Sequence, residues 1–384
     1  MISRDIYGVV VPLLRKVPLA WNVAKELQTG PGLIRHTAAQ FVPQVISPQP
    51  RKLTVAVTSY CNLRCVGCRY GRDFMPNSEL SLETVRDLLD DAKQVGFDEV
   101  RFYGGEPLLH RHLPQMVELA VNRGLHPYVT TNGILLREKI DDLYAAGLRR
   151  MTIGFYGVGA SYDAYVQRRE SFSRLEAGIA YLRERYGKHI EVYINWLLMR
   201  PSCDVTALRD AYEFAERHDL LMRVDLIHYS LPYFSEGPGR ELQFRPEDRQ
   251  KIEQVVAELI RLKQANPQRL TDSLAHIRSM PDWLLRGPDM RVPCDAYRMI
   301  WVGADGTVKL CYVTFTLGNL HQSRLRDLMF TSAHKQAARD AYELQCPNCH
   351  CEASTRIKKH LASRLRYTTA QPFERSTSVL DTTR

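Results

Sequence analysis

Six apolar runs, at residues 53–58, 98–103, 126–130, 150–155, 190–198 and 221–228, alternate along this chain with segments whose apolar residues recur at helical spacing, at 81–95, 112–123, 135–146, 173–186 and 204–218. Short apolar runs bounded by turn residues suit strands, and the 3.6-residue period between them suits helices that bury one side. Gly96, Gly124, Gly147 and Gly187 each follow the last periodic residue of a segment, where a left-handed residue ends a helix. Ser81, ahead of Leu82, Val85, Leu89 and Ala92, and Asp204, ahead of Leu208, Ala211 and Ala215, stand where a side-chain oxygen would satisfy the first free N–H groups. Strands alternating with helices imply right-handed βαβ crossovers and a parallel α/β sheet, with functional residues at the strands' C-terminal ends.

The pattern changes after residue 230. Leu231 to Pro238 is a turn-rich aromatic loop, where Tyr229, Tyr233 and Phe234 are candidates to line a pocket, with core packing as the plainer alternative. Amphipathic segments at 246–264 and 271–286 follow. Met299 to Val302 and Thr307 to Cys311, joined through Ala304-Asp305-Gly306, read as a hairpin, followed by Leu317-Gly318-Asn319-Leu320 and a helical stretch near 324–344. The expected organisation is therefore a terminal segment at 1–50, an α/β unit at 51–230, a helical linker at 231–290, a small α+β unit at 291–355 and a tail at 356–384.

Candidate chemistry sits on cysteines. Cys61, Cys65 and Cys68 fall in one short loop directly after the first strand, and three thiolates there suit three irons of an iron–sulfur cubane, leaving the fourth iron open. A structural zinc site would favour four ligands in paired clips. Five more cysteines follow: Cys294, Cys311, Cys346, Cys349 and Cys351.

The Cys-x3-Cys-x2-Cys loop after Leu53 to Thr58, with Gly104-Gly105-Glu106-Pro107 closing the second strand, resembles the radical S-adenosylmethionine (radical SAM) enzymes. The resemblance spans residues 51–230 and implies a partial (β/α)6 barrel of the TIM type. It further implies S-adenosylmethionine on the open iron of the cluster held by Cys61, Cys65 and Cys68, with Gly104, Gly105, Glu106 and Pro107 at its methionine end. Two positions depart from the family pattern. Gly67 replaces the usual aromatic residue before the third cysteine, making Tyr70 and Phe74 candidates to contact the adenine. Gly154-Phe155-Tyr156-Gly157 replaces a serine-containing motif, making Arg168 or Arg169 a candidate for the cofactor's carboxylate. No hydrogen-abstracting partner side chain is assigned.

Cys294, eleven residues, Gly306, four residues and Cys311, followed by Cys346-x2-Cys349-x-Cys351, resembles the auxiliary-cluster extension called SPASM, or its shorter twitch form, over residues 291–352. Five cysteines imply one additional cluster, with Cys294, Cys311, Cys346 and Cys349 as ligands and Cys351 as the substitute for Cys349. A zinc knuckle at 346–351 is the competing reading. Cys203, alone at a helix start, reads as a structural thiol.

Charge and composition narrow the partners. Eight of nine cysteines lie in cluster-like motifs, which favours a reducing, cytoplasmic setting. Of the net charge of +9, residues 1–50 carry a surplus of three and residues 356–384 a surplus of five, so the body is not a basic nucleic-acid platform. Val9 to Trp21, with Arg15, Lys16 and Lys25 nearby, suits either an interfacial helix at the inner membrane surface or a strap against the barrel. The tail from Thr368 reads as disordered. The expected function is reductive cleavage of S-adenosylmethionine and hydrogen abstraction from a lipid-like or other small metabolite, served by a reductant such as flavodoxin or ferredoxin. Peptide maturation is the alternative, and a non-catalytic zinc-binding module is the rival of a different class.

Overall fold

A computed structural model describes residues 30–230, 237–312 and 314–369. Strands β1 (Lys52–Thr58), β2 (Glu99–Gly104), β3 (His126–Thr131), β4 (Arg150–Phe155), β5 (Glu191–Leu198) and β6 (Leu221–Leu226) pair in parallel in chain order, with helices crossing between them. The expected caps form. Ser81 Oγ accepts from the Thr84 N–H at the start of Leu82–Val95, and the Asp204 carboxylate accepts from the N–H groups of Thr206 and Ala207. The helix Ala160–Val166 was not legible, because it is short and starts without a side-chain cap.

The register divides the residues of these strands between two faces. Leu53, Val55, Val100, Phe102, Val129, Met151, Ile153, Val192, Ile194 and Met222 are buried beneath the helices. The alternate residues Lys52, Thr54, Arg101, Tyr128, Thr130, Tyr193, Asn195, Arg223 and Asp225 share the opposite, concave face, as the pairs Thr54–Arg101, Arg101–Tyr128 and Asn195–Arg223 require. Burying the apolar half against the helices drives the fold. The polar half is then left to line a lumen.

The C-terminal unit is not a separate layer. Strand β7 (Met299–Val302) pairs in parallel with β1, and β8 (Thr307–Lys309) and β9 (Thr316–Asn319) continue antiparallel from it, giving one nine-stranded sheet of order β6-β5-β4-β3-β2-β1-β7-β8-β9. The hairpin expected at 299–311 is present, and it covers the edge that β1 would otherwise leave unpaired. Asp91, almost fully buried on the helix Leu82–Val95, accepts from Arg324 Nε at 3.0 Å and Nη2 at 2.9 Å, pinning the start of Leu325–Leu328 to the barrel's outer layer. Lys52 Nζ reaches Glu352 across 3.1 Å and ties the first residue of β1 to the last cysteine loop.

The helix over 30–39 packs on the C-terminal unit rather than on the barrel: His36 Nε2 lies 3.1 Å from Tyr297 Oη, and Tyr342 Oη donates to the His36 carbonyl at 2.7 Å. Val9 to Trp21, the segment expected at a membrane or as a strap, lies outside the described residues. So do Tyr233, Phe234 and the tail beyond Thr369. Thr368 and Thr369 themselves end the helix Leu361–Thr369, where disorder was expected. No helix among the described residues is long and apolar enough to cross a membrane.

Removing the Asp91 carboxylate strips a bidentate partner from Arg324 and leaves a buried polar amide in its place. Asp91→Asn is expected to lower stability by about 2–3 kcal/mol, discounted for the one-third exposure of Arg324. Chemical denaturation followed by far-UV circular dichroism checks it.

Candidate active site

Beyond Thr58 the chain leaves β1 and turns through the first cysteine loop. Cys61, Cys65 and Cys68 line one cleft of about 270 Å³ with Ser59, Tyr60, Leu63, Tyr70, Gly71, Gly104 and Gly105. The loop is fixed by backbone bonds from Arg64 N to Val166 O at 3.3 Å and Val66 N to Tyr165 O at 2.9 Å, and Arg72 donates to the carbonyls of Cys65 and Cys68. Gly67 sits at φ +78°, which accounts for glycine where an aromatic residue was expected. Burial raises the Cys65 and Cys68 thiols above their ordinary range, with neighbouring thiol charge adding to the effect at Cys65, while Cys61 stands at the exposed rim. Thiolates so placed need a cation, which iron would supply.

The Gly-Gly-Glu-Pro segment forms the neighbouring wall. A Cβ at Gly104 would lie 2.2 Å from the Thr58 carbonyl oxygen, and one at Gly105 2.3 Å from that of Tyr60. The N–H groups of Gly105 and Glu106 donate to those same two carbonyls at 2.8 Å. The glycines thus seat β2 directly on the exit of β1. Glu106, placed with the adjacent backbone at the cofactor's methionine end by the sequence, has a fully buried side chain whose carboxylate accepts from Thr131 Oγ1 at 2.6 Å, Asn132 N at 2.7 Å and Leu108 N at 3.0 Å. Burial pushes its pKa up to about 7 against the opposing pull of those donors. Pro107 opens the short turn Pro107–Leu109 behind it.

Arg168 has a similar supporting place. Its Nη1 donates to the Asn62 carbonyl at 3.1 Å, while Asn132 Nδ2 donates to Asn62 Oδ1 at 2.8 Å, so the cysteine loop is held from two sides. Tyr70 does line the cleft, with its ring 5.9 Å from Phe74 and 6.2 Å from Tyr103. Sequence reasoning missed Tyr156 and Tyr165, whose rings lie 4.4 Å apart and whose hydroxyls are within electrostatic reach of Cys65 and Cys68. The only signal was the departure at Gly154 to Gly157.

Below the cleft, the concave face encloses a cavity of about 530 Å³ lined by Lys52, Arg101, Tyr193, Asn195, Arg223 and Asp225, among others. Tyr103 belongs to this lining and the next residue, Gly104, to the cysteine cleft. Most of the cations are engaged. Lys52 pairs with Glu352, and Arg101 donates to Thr130 Oγ1 and Tyr312 Oη at 2.8 Å each. Arg223, stacked 5.2 Å over the Tyr193 ring, and Asp225, two residues on, form no ion pair among the described residues. Asn195 Oδ1, beside Arg223 in the register, is buried without a hydrogen-bond partner among the described residues.

The second cysteine set converges too. Cys294, Cys311, Cys346, Cys349 and Cys351 line one cavity with Glu352 and Arg356, and of these thiols only Cys351 also lines the lumen. Burial pushes Cys294 up to about 12 and raises Cys346. Cys351 donates to Cys349, which holds the Cys349 thiol low and the Cys351 thiol high. Cys203 is buried in the main core, as a structural thiol would be.

Residues 55–205 match the Radical SAM superfamily and residues 294–351 the SPASM iron–sulfur cluster-binding domain. Among curated relatives, GTP 3',8-cyclase of Mycobacterium sp. (strain KMS) is 38% identical over 140 residues, which cover 34% of this chain and 39% of that protein. The match thus spans about two fifths of that relative's length. PqqA peptide cyclase of Xanthomonas campestris pv. campestris (strain B100) is 27% identical over 287 residues, 73% of this chain and 72% of that protein. Two solved structures share the fold: native anSMEcpe with bound AdoMet, at TM-score 0.60 and 16% identity over 76% of this chain and 84% of that one, and Streptococcus suis SuiB bound to precursor peptide SuiA, at TM-score 0.61 and 15% identity over 88% and 78%.

Glu106 should leave a pH signature. Its folded-state pKa of about 7 exceeds its ordinary 4.5, so between these values the folded protein keeps a proton that the unfolded chain has lost. Stability therefore falls as pH rises through that window and levels off above it, by up to about 3 kcal/mol. Glu106→Gln, which cannot titrate, should lose this slope while being less stable at pH 5, where its amide opposes the donors of Thr131 and Asn132. Urea denaturation of both proteins from pH 4.5 to 8 reads the difference.

Proposed function

From the membership of this chain in the radical SAM superfamily, with a SPASM domain toward its C-terminal end, we propose that it abstracts a hydrogen atom from a polar substrate, a peptide segment, held in the barrel lumen. One observation carries this reading: the polar lumen is lined by Tyr103, next in the chain to Gly104 of the first cysteine cleft, and shares Cys351 with the second cysteine cavity. Cys61, Cys65 and Cys68 would hold a cubane with S-adenosylmethionine on its open iron, and Cys294, Cys311, Cys346 and Cys349 an auxiliary cluster. When bound, the first pair supplies a 5′-deoxyadenosyl radical by one-electron cleavage of the cofactor.

The chain's own residues position and shield. Tyr70 walls the cleft, while Asn62, Asn132 and Glu106 fix the loop that carries the thiols. Arg223 and Asp225 offer opposite charges on one strand face, about 7 Å apart at strand spacing, which suits a substrate carrying both an oxyanion and a cation. A lumen lined this way desolvates charged groups if filled by a hydrocarbon chain, which counts against a lipid-like substrate. The relation to a peptide cyclase over most of the chain supports a peptide. A small anionic metabolite is the second reading, favoured by the Arg223 side of the lumen and by the relation to a nucleotide cyclase.

Anaerobically reconstituted protein, given dithionite and S-adenosylmethionine, is expected to form 5′-deoxyadenosine. The Cys61→Ala, Cys65→Ala, Cys68→Ala variant should form none, and equal turnover by it would sink the assignment. Adding the peptide fraction of a cell extract should raise the yield, and the small-metabolite fraction should not; the reverse moves the second reading first. Arg223→Gln should keep the basal yield and lose the stimulation by about 10-fold or more.

A further inference from the structure

Arg356, on the helix Ala353–Lys359, has no exposed surface, yet no carboxylate lies within ion-pair distance of it among the described residues. All its hydrogen-bond partners are neutral. Nε donates to the Val292 carbonyl at 3.1 Å and Nη2 also reaches that oxygen; Nη2 donates to Asn348 Oδ1 at 3.0 Å and Nη1 to the Cys349 carbonyl at 2.5 Å. The guanidinium lies 4.8 Å over the Trp283 ring. Carbonyls and a ring face satisfy its donors without cancelling its charge. An uncompensated buried ion costs several kcal/mol, so the fold should hold a counter-charge nearby.

The cavity beside it shows where that charge resides. Of the residues lining it, only Glu352 and Arg356 are charged side chains, and Glu352 is engaged by Lys52 at 3.1 Å. What remains is five thiols. Four thiolates outweigh the positive charge of a cubane core, so the ligated cluster is an anion. Arg356 also reaches the ligand loop through its two ends, at Val292, two residues before Cys294, and at Asn348 and Cys349.

We propose that Arg356 is the built-in counter-charge of the auxiliary cluster, a positioning residue that favours the cluster's more negative, reduced form and so raises its reduction potential. It does so by a permanent charge, because guanidinium does not titrate in the accessible range, and by holding Cys349 in the ligand loop. This rests on the cofactor assignment above, and the test separates the two.

The test uses the full chain carrying Cys61→Ala, Cys65→Ala and Cys68→Ala, so that one cluster remains, and follows its reduction potential by EPR-monitored titration. If that parent binds no iron, the cofactor assignment fails and the counter-charge role falls with it. Adding Arg356→Met should shift the potential to more negative values; adding Arg356→Lys instead, which keeps the charge, should leave most of the parent's potential in place. An unchanged potential in the Met variant, or an equal shift in the Lys variant, overturns the proposal. Should the Met variant fold but not assemble iron, assembly by the Lys variant supports the counter-charge, and failure of both with intact circular dichroism overturns it.

Discussion

The site depends on one backbone contact, the seating of Gly104 and Gly105 on the carbonyls of Thr58 and Tyr60. No side chain fits between the two segments, since a Cβ at either glycine would approach a carbonyl oxygen to under 2.5 Å. This closeness puts the end of β2 at the exit of β1, where the cysteine loop begins. Glu106 follows immediately and, buried, draws the end of β3 inward through Thr131 and Asn132. Asn132 then reaches Asn62 inside the loop. Three strand ends are thereby locked to one another by short-range bonds, and the thiols take their placement from that lock together with the loop's own bonds to Tyr165, Val166 and Arg72.

Much of this was legible in the sequence, for identifiable reasons. The six barrel strands and their helices announce themselves because each buries an apolar face, and burial writes a period into the chain. Ser81, Asp204 and the helix-ending glycines mark boundaries because free N–H and C=O groups at helix ends must be met locally. Both cysteine sets were found from spacing, and the structure gathers each around a single cavity. What failed was anything carried by distant pairing. The parallel pairing of β7 with β1 joins residues almost 250 positions apart, and nothing local records it. The bonds of Glu106 to Thr131 and Asn132 and of Arg168 to Asn62 likewise join distant positions, and residue type alone does not reveal them.

The added strands have a functional corollary. Because β7 extends the sheet from β1, the second cysteine cavity is fixed to the same strand whose other end leads into the first cysteine loop. The two sets of thiols are therefore referenced to one strand. Lys52 at the start of β1 and Glu352 beside Cys351 close that frame with an ion pair. A substrate in the lumen would meet the two centres at a separation set by strand length rather than by a flexible hinge.

The two sites also differ in how they treat charge, and the difference follows from access. The first cleft is open, as a site that admits and releases a cofactor must be, and the cation nearest its thiols, Arg72, is solvent-exposed at its hydrogen-bonding end. Water and the incoming cofactor's own positive groups can compensate thiolate charge there. The second cavity is smaller, its five partly buried thiols set among apolar neighbours such as Met299, Phe315 and Leu344, so water compensates charge there less well. A closed anionic centre needs its counter-charge installed during folding, and a buried guanidinium satisfied by neutral carbonyls is one of few ways to keep a cation at full charge away from water. On this argument Arg356 belongs to the auxiliary site as fully as the cysteines do, although it is five positions beyond the last of them and outside any cysteine motif.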